Sequence, residues 1–287
     1  ALFNLCLALL NPGDEAIIPA PYWVSYPDMV RLAGAEAVTI DAGIEQDFKI
    51  TAAQLEAAIT SKTRLLILNS TSNPTGASYD ETEMQSLGDV LEKHEDIVVL
   101  ADDIYEHIHW ADKPFVSFAA ACPSLKERTV TTNGVSKAYA MTGWRIGYAA
   151  GPKELITAMK TVQSQSTSNA CSVSQAAAVA ALNGDQSCVT EMAKAYRTRH
   201  DFIIKELNEV TGFECRRGEG TFYAFPRVLG AMDARNMKND VEFVEYLLNE
   251  ADIACVPGSA FGSPGYLRFS FACSIESLEE SIRRIKR

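Results

Sequence analysis

Short runs of apolar residues alternate with stretches of helical periodicity through the first half of the chain. Unbroken apolar runs of this length predict strands that are buried on both faces of a sheet. The predicted strands are Glu15–Pro19, Ala37–Ile40, Leu65–Leu68, Ile97–Ala101, Thr129–Thr132 and Ile146–Ala149. Because helical segments separate them, the pattern predicts an α/β fold, with a mostly parallel sheet that helices cover.

Two of the intervening helices are marked by the residues at their starts. Thr51 and Gln54 have the spacing of a capping box, and so do Asp80 and Glu83. In this motif the two side chains satisfy backbone N–H groups that the first turn of a helix leaves free. The predicted helices run over 51–59 and 80–94.

Beyond about Thr190 the pattern changes to shorter elements. One long helix is predicted over Glu191–Val210, with an apolar side. The later predicted elements are strands at Phe213–Arg216, Thr221–Phe225, Ile253–Val256 and Leu267–Ala272, a helix over Val241–Ala251 and a final helix from Glu276. We therefore expect a large domain over 1–190 and a smaller α+β domain over 191–287 that begins with the long helix.

The charge balance limits the classes of partner. There are 26 Lys and Arg residues against 37 Asp and Glu residues, for a formal net charge of −11. Nucleic acids and anionic membranes are bound through basic surfaces, so we expect neither as a partner. No apolar run is long enough to span a bilayer.

The seven cysteines are odd in number, scattered, and without a C-x-x-C pair. This pattern favours buried, reduced thiols in a cytoplasmic protein over a disulfide or zinc framework. The chain begins within an apparent helix at Ala1–Leu5, without an initiator Met. We expect that an N-terminal part is missing, and any targeting signal would lie there.

Two polar segments follow predicted strands. Ser72–Gly76, with the sequence S-N-P-T-G, follows the strand near Asn69, and its Asn73 can both donate and accept hydrogen bonds. Asp102–Tyr105, with the sequence D-D-I-Y, follows the strand that ends at Ala101. A carboxylate at a buried strand end needs a cationic partner. Each segment, taken alone, is also compatible with an ordinary turn or a solvated acidic loop.

The segment Ser136–Tyr148 carries the strongest signal. Lys137 follows a predicted strand in a stretch without acidic residues, and burial would lower the pKa of its amine and make it nucleophilic. Arg145 can bind a phosphate through two parallel hydrogen bonds. Either residue alone is compatible with a surface cation.

His107 and His109 alternate along a probable strand, and we interpret them as surface residues, so no metal site is expected.

Together the motifs S-K-x-x-x-M-T-G-W-R-I-G-Y, S-N-P-T-G and D-D-I-Y resemble those of class I/II aminotransferases, which are pyridoxal-phosphate (PLP) enzymes of fold type I. The segments P-Y-W-V-S-Y-P (21–27) and N-G-V-S-K-A-Y-A-M-T-G-W-R resemble the bacterial aspartate and aspartate/prephenate aminotransferase branch. The resemblance runs along the whole chain and implies a PLP-binding large domain and a small domain.

The resemblance implies three catalytic residues and a set that binds the cofactor ring. Lys137 would hold PLP as a Schiff base and move the proton during catalysis. Asp102 would pair with the protonated ring nitrogen. Tyr105 and Asn73 would bind the ring oxygen, and Trp23 would stack on the ring.

The resemblance also implies where the charged ends of the ligands bind. Ser136 and Arg145 would hold the cofactor phosphate. Arg268, helped by Asn73, would bind the substrate α-carboxylate as a fork, and Trp23 would also contact the substrate. Without the resemblance, Trp23 is equally compatible with a core aromatic and Arg268 with an edge-strand cation.

Two departures from the family pattern stand out. Gly134 occupies a position where many relatives carry a hydroxyl that binds phosphate, and Asn133 or the backbone could supply that contact. The glycine turn that binds phosphate in the family would precede Ala1. Phe222, in a segment that resembles one that moves on closure, is compatible with a pocket wall or a packed strand residue.

The leading hypothesis is ping-pong transamination of aspartate, or a related amino acid, with 2-oxoglutarate by a homodimer with shared active sites. A PLP-dependent lyase, and an inactive or partner-dependent fragment, are the alternatives. Aspartate, prephenate, an aromatic amino acid and alanine all remain open as substrates.

Overall fold

The computed structural model describes all 287 residues. Its larger sheet has six strands in the order β2-β1-β3-β4-β5-β6, and β6 alone runs antiparallel to its neighbour. These strands are β1 Glu15–Ala20, β2 Glu36–Asp41, β3 Thr63–Asn69, β4 Val98–Asp102, β5 Thr129–Gly134 and β6 Gly147–Ala150. All six predicted strands are present, and the predicted mostly parallel α/β sheet is confirmed.

Eleven α-helices accompany the strands. They are α1 Leu2–Leu9, α2 Ser25–Leu32, α3 Ala52–Ala58, α4 Glu81–Leu91, α5 Phe118–Ala121, α6 Lys153–Ser166, α7 Ser172–Asn183, α8 Ser187–Asn208, α9 Leu229–Ala234, α10 Asp240–Ala251 and α11 Ile275–Ile285. Both capping boxes form as predicted, at Thr51 for α3 and at Asp80 for α4.

Alternate residues of the central strands pack on opposite faces of the large sheet. On one face, apolar side chains of the strands meet α3, α4 and α5, and on the other they meet α1, α2 and α6. In β3, for example, Leu66 and Leu68 belong to the first core and Leu65 and Ile67 to the second. Each buried aliphatic side chain contributes about 1.5–3 kcal/mol. This double burial explains why the strands are continuously apolar.

The carboxyl ends of the parallel strands share one edge of this sheet, and the strand order reverses between β1 and β3. Ligands of open α/β sheets bind outside this edge, near such a reversal. Trp23 follows β1, Asn73 follows β3, Asp102 ends β4 and Lys137 follows β5. Arg145 precedes the antiparallel β6, so the chain returns to the same edge there.

A second sheet of three strands lies in the C-terminal part, in the order β7-β9-β8. Its strands are β7 Tyr223–Ala224, β8 Val256–Pro257 and β9 Leu267–Ser270. Residues of β7 and β9 and of α8, α9, α10 and α11 share a separate hydrophobic core. The predicted division into 1–190 and 191–287 would fall inside α8 and stays a prediction.

Three expectations were wrong. His107 lies in a turn and not in a strand, and His109 forms only an isolated bridge to Gly220, because the chain turns directly after β4. Phe213–Arg216 contributes a single bridge from Glu214 to Arg227 and no strand. The seven cysteines are free, but Cys171 and Cys188 are exposed and not buried.

The helices α2, α5, α6, α7 and α9 were not anticipated from the sequence. The 22-residue helix α8 is the longest, and its composition is too polar for a bilayer. None of the helices combines the length and the apolar composition that crossing a membrane requires.

Candidate active site at the carboxyl edge of the large sheet

Asp102, the last residue of β4, carries a carboxylate that is 6% exposed. The hydroxyl of Tyr26 donates to its Oδ2 at 2.6 Å, and Thr132 Oγ1 lies 3.5 Å from its Oδ1. Burial raises the pKa of Asp102, and the hydrogen bonds from Tyr26, the backbone of Ile104 and Thr132 oppose that rise. No cationic side chain of the chain forms an ion pair with this carboxylate, so its negative charge lacks a direct partner.

The loop after β3 is fixed to β4 through Asn69. Asn69 Nδ2 donates to the carbonyl of Asp102 at 2.7 Å, and Asn69 Oδ1 accepts from the backbone N–H of Asn73 at 2.9 Å. Asn69 and Asp102 are also paired in the sheet register. Asn73, which is 7% exposed, is therefore held beside the end of β4.

Arg268 brings the second sheet to this edge. It lies on β9, and its Nη1 donates to Asn73 Oδ1 at 3.0 Å although the two residues are 195 positions apart. Its Nε is buried without a hydrogen-bond partner, and no carboxylate pairs with it. Because β9 is the middle strand of its sheet, the interpretation of Arg268 as an edge-strand cation is wrong.

Lys137 lies in the turn after β5 and is partly buried. Its Nζ is 5.8 Å from the ring centre of Tyr105 and 5.5 Å from that of Phe222. Burial lowers the pKa of the Lys137 amine, and the positive charges of Arg268 and Arg145 lower it further. The neutral amine is the nucleophilic form, so this environment favours attack on a carbonyl group.

Arg145 stands in the left-handed region of backbone space (φ 57°) and is exposed. Its Nη1 donates to the carbonyl of Thr142 at 3.0 Å, and it forms no ion pair. Ser136 is partly buried beside Lys137. Asn133 Nδ2 donates to Glu106 Oε1 at 2.6 Å, and Asn133 Oδ1 accepts from the backbone N–H of Gly134 at 2.7 Å. Asn133 is therefore poorly placed to replace the hydroxyl that Gly134 lacks.

Aromatic residues line the site near Lys137 and near Asp102. Tyr105 is 2% exposed, and burial raises the pKa of its phenol well above the usual value. Phe222 packs edge-on against Tyr105 at 5.6 Å between ring centres, which supports its interpretation as a wall residue. Trp23 is partly buried and packs edge-on against Tyr26 at 5.4 Å, beside Asp102.

Hydrogen bonds of Glu219 join the stretch before β7 (residues 218–220) to the S-N-P-T-G loop, and we call this connection the latch. Glu219 Oε2 accepts from the backbone N–H of Ser78 at 2.9 Å, and the backbone N–H of Glu219 donates to the carbonyl of Gly76 at 2.7 Å. The backbone N–H of Gly218 donates to Nε2 of the fully buried His200 at 3.0 Å. Burial lowers the pKa of His200, so its neutral form accepts this bond.

Several residues of the site were missed by sequence reasoning. Tyr26, Asn69, Tyr223, Phe261 and Glu219 touch predicted site residues or the S-N-P-T-G loop but lie outside the quoted roles. Tyr26 belongs to the P-Y-W-V-S-Y-P segment, which was the only available signal for it. The others become neighbours only through the tertiary fold.

Several charged side chains of the site therefore form no ion pair within the chain. The structure brings Asp102, Lys137, Tyr105, Asn73 and Arg268 together through direct contacts or electrostatic coupling. Arg145 acts electrostatically on Lys137, whereas no contact links Trp23 or Ser136 directly to the reactive amine. Two free guanidinium groups, one free buried carboxylate and one amine of lowered pKa form a set that an anionic ligand with a basic ring nitrogen would complete.

A cavity of about 600 Å³ lies elsewhere, between α9, α10, the end of α11 and the segment that follows α8, and none of the predicted site residues lines it. Arg235, Tyr246 and Arg284 are among its lining residues. The candidate site is thus identified by the chemistry of its side chains and not by the volume of a pocket.

Comparisons with known proteins point in one direction. The profile of the family described as "Aminotransferase class I and II" matches residues 1–285. An aspartate/prephenate aminotransferase of Nitrosomonas europaea is 54% identical over 291 residues, which cover 99% of this chain and 73% of the relative. The crystal structure of the aspartate aminotransferase from Rhizobium meliloti is similar with a TM-score of 0.95 at 48% identity, covering 99% of this chain and 72% of that one.

A more distant solved structure agrees. The aspartate aminotransferase from Thermus thermophilus with maleate has a TM-score of 0.91 at 40% identity, and the match covers 100% of this chain and 72% of that one.

Proposed function

The chain belongs to the class I and II aminotransferase family, and from this premise we propose that it transfers the amino group of aspartate to 2-oxoglutarate with PLP as cofactor. Members of the family act on amino acids and 2-oxo acids. The observation that carries the proposal is the partly buried Lys137 amine, whose pKa is lowered and which lies among the unpaired charges of Asp102, Arg145 and Arg268.

The donor set of the site fits PLP. A protonated ring nitrogen would supply the cation that the buried Asp102 lacks, and the cofactor phosphate would supply the anion that Arg145 lacks. Tyr105 and Asn73 carry donors for a ring oxygen, Trp23 offers a flat apolar face, and these positions match the roles inferred from the family motifs. When bound, PLP supplies an aldehyde that reacts with amines and a ring that withdraws electrons from the substrate Cα–H bond.

The residues of the chain would divide the work as follows. Lys137 would hold the cofactor through Nζ and, when its amine is free, would move the proton at the substrate Cα, because a lowered pKa makes the neutral, proton-accepting form of the amine easier to reach. Asp102 keeps the proton on the ring nitrogen. Tyr105 and Asn73 donate to the ring oxygen.

The remaining residues would bind and orient. Ser136 and Arg145 hold the phosphate, and Trp23 fixes the plane of the ring. Arg268 binds the α-carboxylate of the substrate through its fork, with Asn73 holding one side of the guanidinium at 3.0 Å. Aspartate and 2-oxoglutarate then use the same site in turn, which is the ping-pong scheme.

A spectroscopic experiment tests this proposal. The protein is supplied with PLP, and we expect a visible absorption band that aspartate removes and 2-oxoglutarate restores. Lys137→Ala should abolish the band, whereas Lys160→Ala, at an exposed position of α6, should leave it unchanged. A band that aspartate removes but no 2-oxo acid restores, with release of ammonia, would contradict transamination and indicate a lyase.

Prephenate belongs among the acceptors to be tested, since the name of the Nitrosomonas relative includes it.

We further propose a cytoplasmic homodimer in which residues 1–190 form the large domain and 191–287 the small one. Exposed apolar side chains on α1 (Phe3 and Leu7) and α7 (Val173 and Val179) support a dimer contact. Sedimentation of the purified protein would test its oligomeric state.

A further inference from the structure

Tyr223, on β7, touches both halves of the candidate site. Its side chain is 8% exposed, and its hydroxyl accepts a hydrogen bond of 3.3 Å from the hydroxyl of Tyr105. Its ring lies under the guanidinium of Arg268, with 4.4 Å between the ring centre and Cζ. The two contacts use different parts of the side chain, so they can be separated experimentally.

The pairing of β7 with β9 explains the second contact. Tyr223 stands opposite Ser270 in the antiparallel register, and Arg268 lies two residues before Ser270 on the same strand. Side chains that are diagonal neighbours on one face of a sheet are within reach of one another when they are long or aromatic. The register therefore fixes the tyrosine ring beneath the arginine.

Arg268 is held without being neutralised. Its Cζ also lies 4.8 Å from the ring centre of Phe261, its Nη1 donates to Asn73, and its Nε has no hydrogen-bond partner. Aromatic faces attract a guanidinium but add no negative charge. The rings of Tyr223 and Phe261 thus orient the cation and leave its charge available for an anion.

The hydroxyl contact acts on a different residue. Tyr105 is buried, and its hydroxyl has Tyr223 as its hydrogen-bond partner within the chain. The face of the Tyr105 ring also lies 5.8 Å from Nζ of Lys137. Removing the Tyr223 hydroxyl would change how Tyr105 shares its proton with a ligand oxygen, and the ring of Tyr223 would remain under Arg268.

We propose that Tyr223 is a positioning residue with two separable contributions, in which its ring orients Arg268 for a substrate carboxylate and its hydroxyl sets the hydrogen bonding of Tyr105. The inference rests on the proposed function, because it names what Arg268 and Tyr105 bind. Phe261 shares the first contribution and has no part in the second.

The test compares Tyr223→Phe with Phe261→Leu in the PLP-loaded protein. The first readout is the pH midpoint of the visible absorption band, and the second is the Kd of succinate, a dicarboxylate that cannot react, measured by calorimetry. Tyr223→Phe should displace the midpoint by about 0.4–1 pH unit and leave the succinate Kd within about twofold. Phe261→Leu should leave the midpoint in place and raise the Kd by about fivefold or more.

Tyr223→Leu should produce both effects. Phe243→Leu is the matched control, because Phe243 is also a buried aromatic residue of the C-terminal part but contacts neither Arg268 nor Tyr105. It should lower the midpoint of thermal unfolding without changing either readout.

The inference is overturned if Tyr223→Phe behaves like the wild type in both readouts, or if Tyr223→Phe and Phe261→Leu change the same readout. If the wild-type protein forms no visible band with PLP, the proposed function itself fails, and this inference fails with it. A wild-type band together with indistinguishable variants overturns the inference alone.

Discussion

The phenol of Tyr26 donates a 2.6 Å hydrogen bond to the carboxylate of Asp102, and both groups are buried. Tyr26 lies in the first turn of α2, directly after the loop that carries Trp23. The helix after β1 thus holds the acidic group at the end of β4, two strands away in the sheet. A hydrogen bond to a charged acceptor is stronger than one between neutral groups, so this contact stabilises the ionised form of Asp102.

Tyr26→Phe tests that contact. The variant removes the shortest hydrogen bond to Asp102, which raises the pKa of the carboxyl further and weakens its attraction for a protonated ring nitrogen. We expect the Kd for PLP to rise about tenfold, since a hydrogen bond to a charged group is worth about 1.5–3 kcal/mol. Equilibrium titration of the visible band measures it.

Tyr79→Phe is the matched control. Tyr79 is also buried, and its hydroxyl accepts a 2.8 Å hydrogen bond from the backbone N–H of Ile50, away from Asp102. This variant should lose a comparable free energy of unfolding and keep its PLP affinity within about twofold. Equal losses of PLP affinity in the two variants would show that Tyr26 acts only through general stability.

The large sheet was predictable because each of its central strands is buried on both faces and reads as an unbroken apolar run. For the same reason Asp102 and Lys137 could be located at strand ends from local sequence alone. The contact of Arg268 with Asn73 spans 195 positions and depends on how the second sheet docks, which no local pattern encodes. Strand β7 has only two residues, too few for an alternating pattern to indicate which way Tyr223 points.

The amine of Lys137 should be less basic than that of an ordinary surface lysine. Burial and the charges of Arg268 and Arg145 lower its pKa, whereas the ion pair with Asp80 at 2.7 Å raises the pKa of the exposed Lys113. As the pH rises, the neutral amine of Lys137 therefore forms first. We expect acylation of the cofactor-free protein, followed by peptide mass spectrometry, to give a lower pH midpoint for Lys137 than for Lys113.

Arg145→Gln extends this prediction. Removing the positive charge should move the midpoint of Lys137 upward and leave that of Lys113 in place. A common midpoint for the two lysines, or no response to Arg145→Gln, would contradict the electrostatic explanation.

Asp103 should make the folded protein less stable as the pH rises. The residue is 2% exposed with one carboxyl oxygen unpartnered, and burial, together with Glu106 and Asp102, raises its pKa to about 8. Between the unfolded value near 4 and about 8, the folded state binds more protons than the unfolded state. Stability contributed by this group therefore falls with pH in that window, by up to about 1.4 kcal/mol per pH unit.

Asp103→Asn removes the titrating group and keeps the shape of the neutral acid. Urea unfolding at pH 6, 7 and 8 should show an advantage of the variant over the wild type that grows with pH. Asp112→Asn, at an exposed position, should follow the wild-type slope. Parallel slopes for Asp103→Asn and the wild type would mean that Asp103 is ionised throughout this range.

Gly76 should not tolerate a side chain. Its φ of +71° is unfavourable for residues with a Cβ, and a Cβ there would lie 2.8 Å from the carbonyl oxygen of Gly220 and 3.2 Å from Cα of Gly218. Both obstacles are backbone atoms of the stretch that Glu219 latches to this loop, so neither can rotate away. We expect Gly76→Ala to cost about 2 kcal/mol or more of unfolding free energy in urea titrations.

Gly143→Ala provides the contrast, because no atom lies within 4 Å of a Cβ placed there and its φ is not positive. Its effect should stay within about 0.5 kcal/mol.

Hydrogen exchange distinguishes loosening of the loop at Gly76 from destabilisation of the whole large sheet. In Gly76→Ala the backbone N–H of Ser78, which Glu219 accepts from in the wild type, should exchange faster than the amides of β3. Uniform acceleration of both would show that the substitution destabilises the whole sheet and that the latch has no separate role in holding the loop.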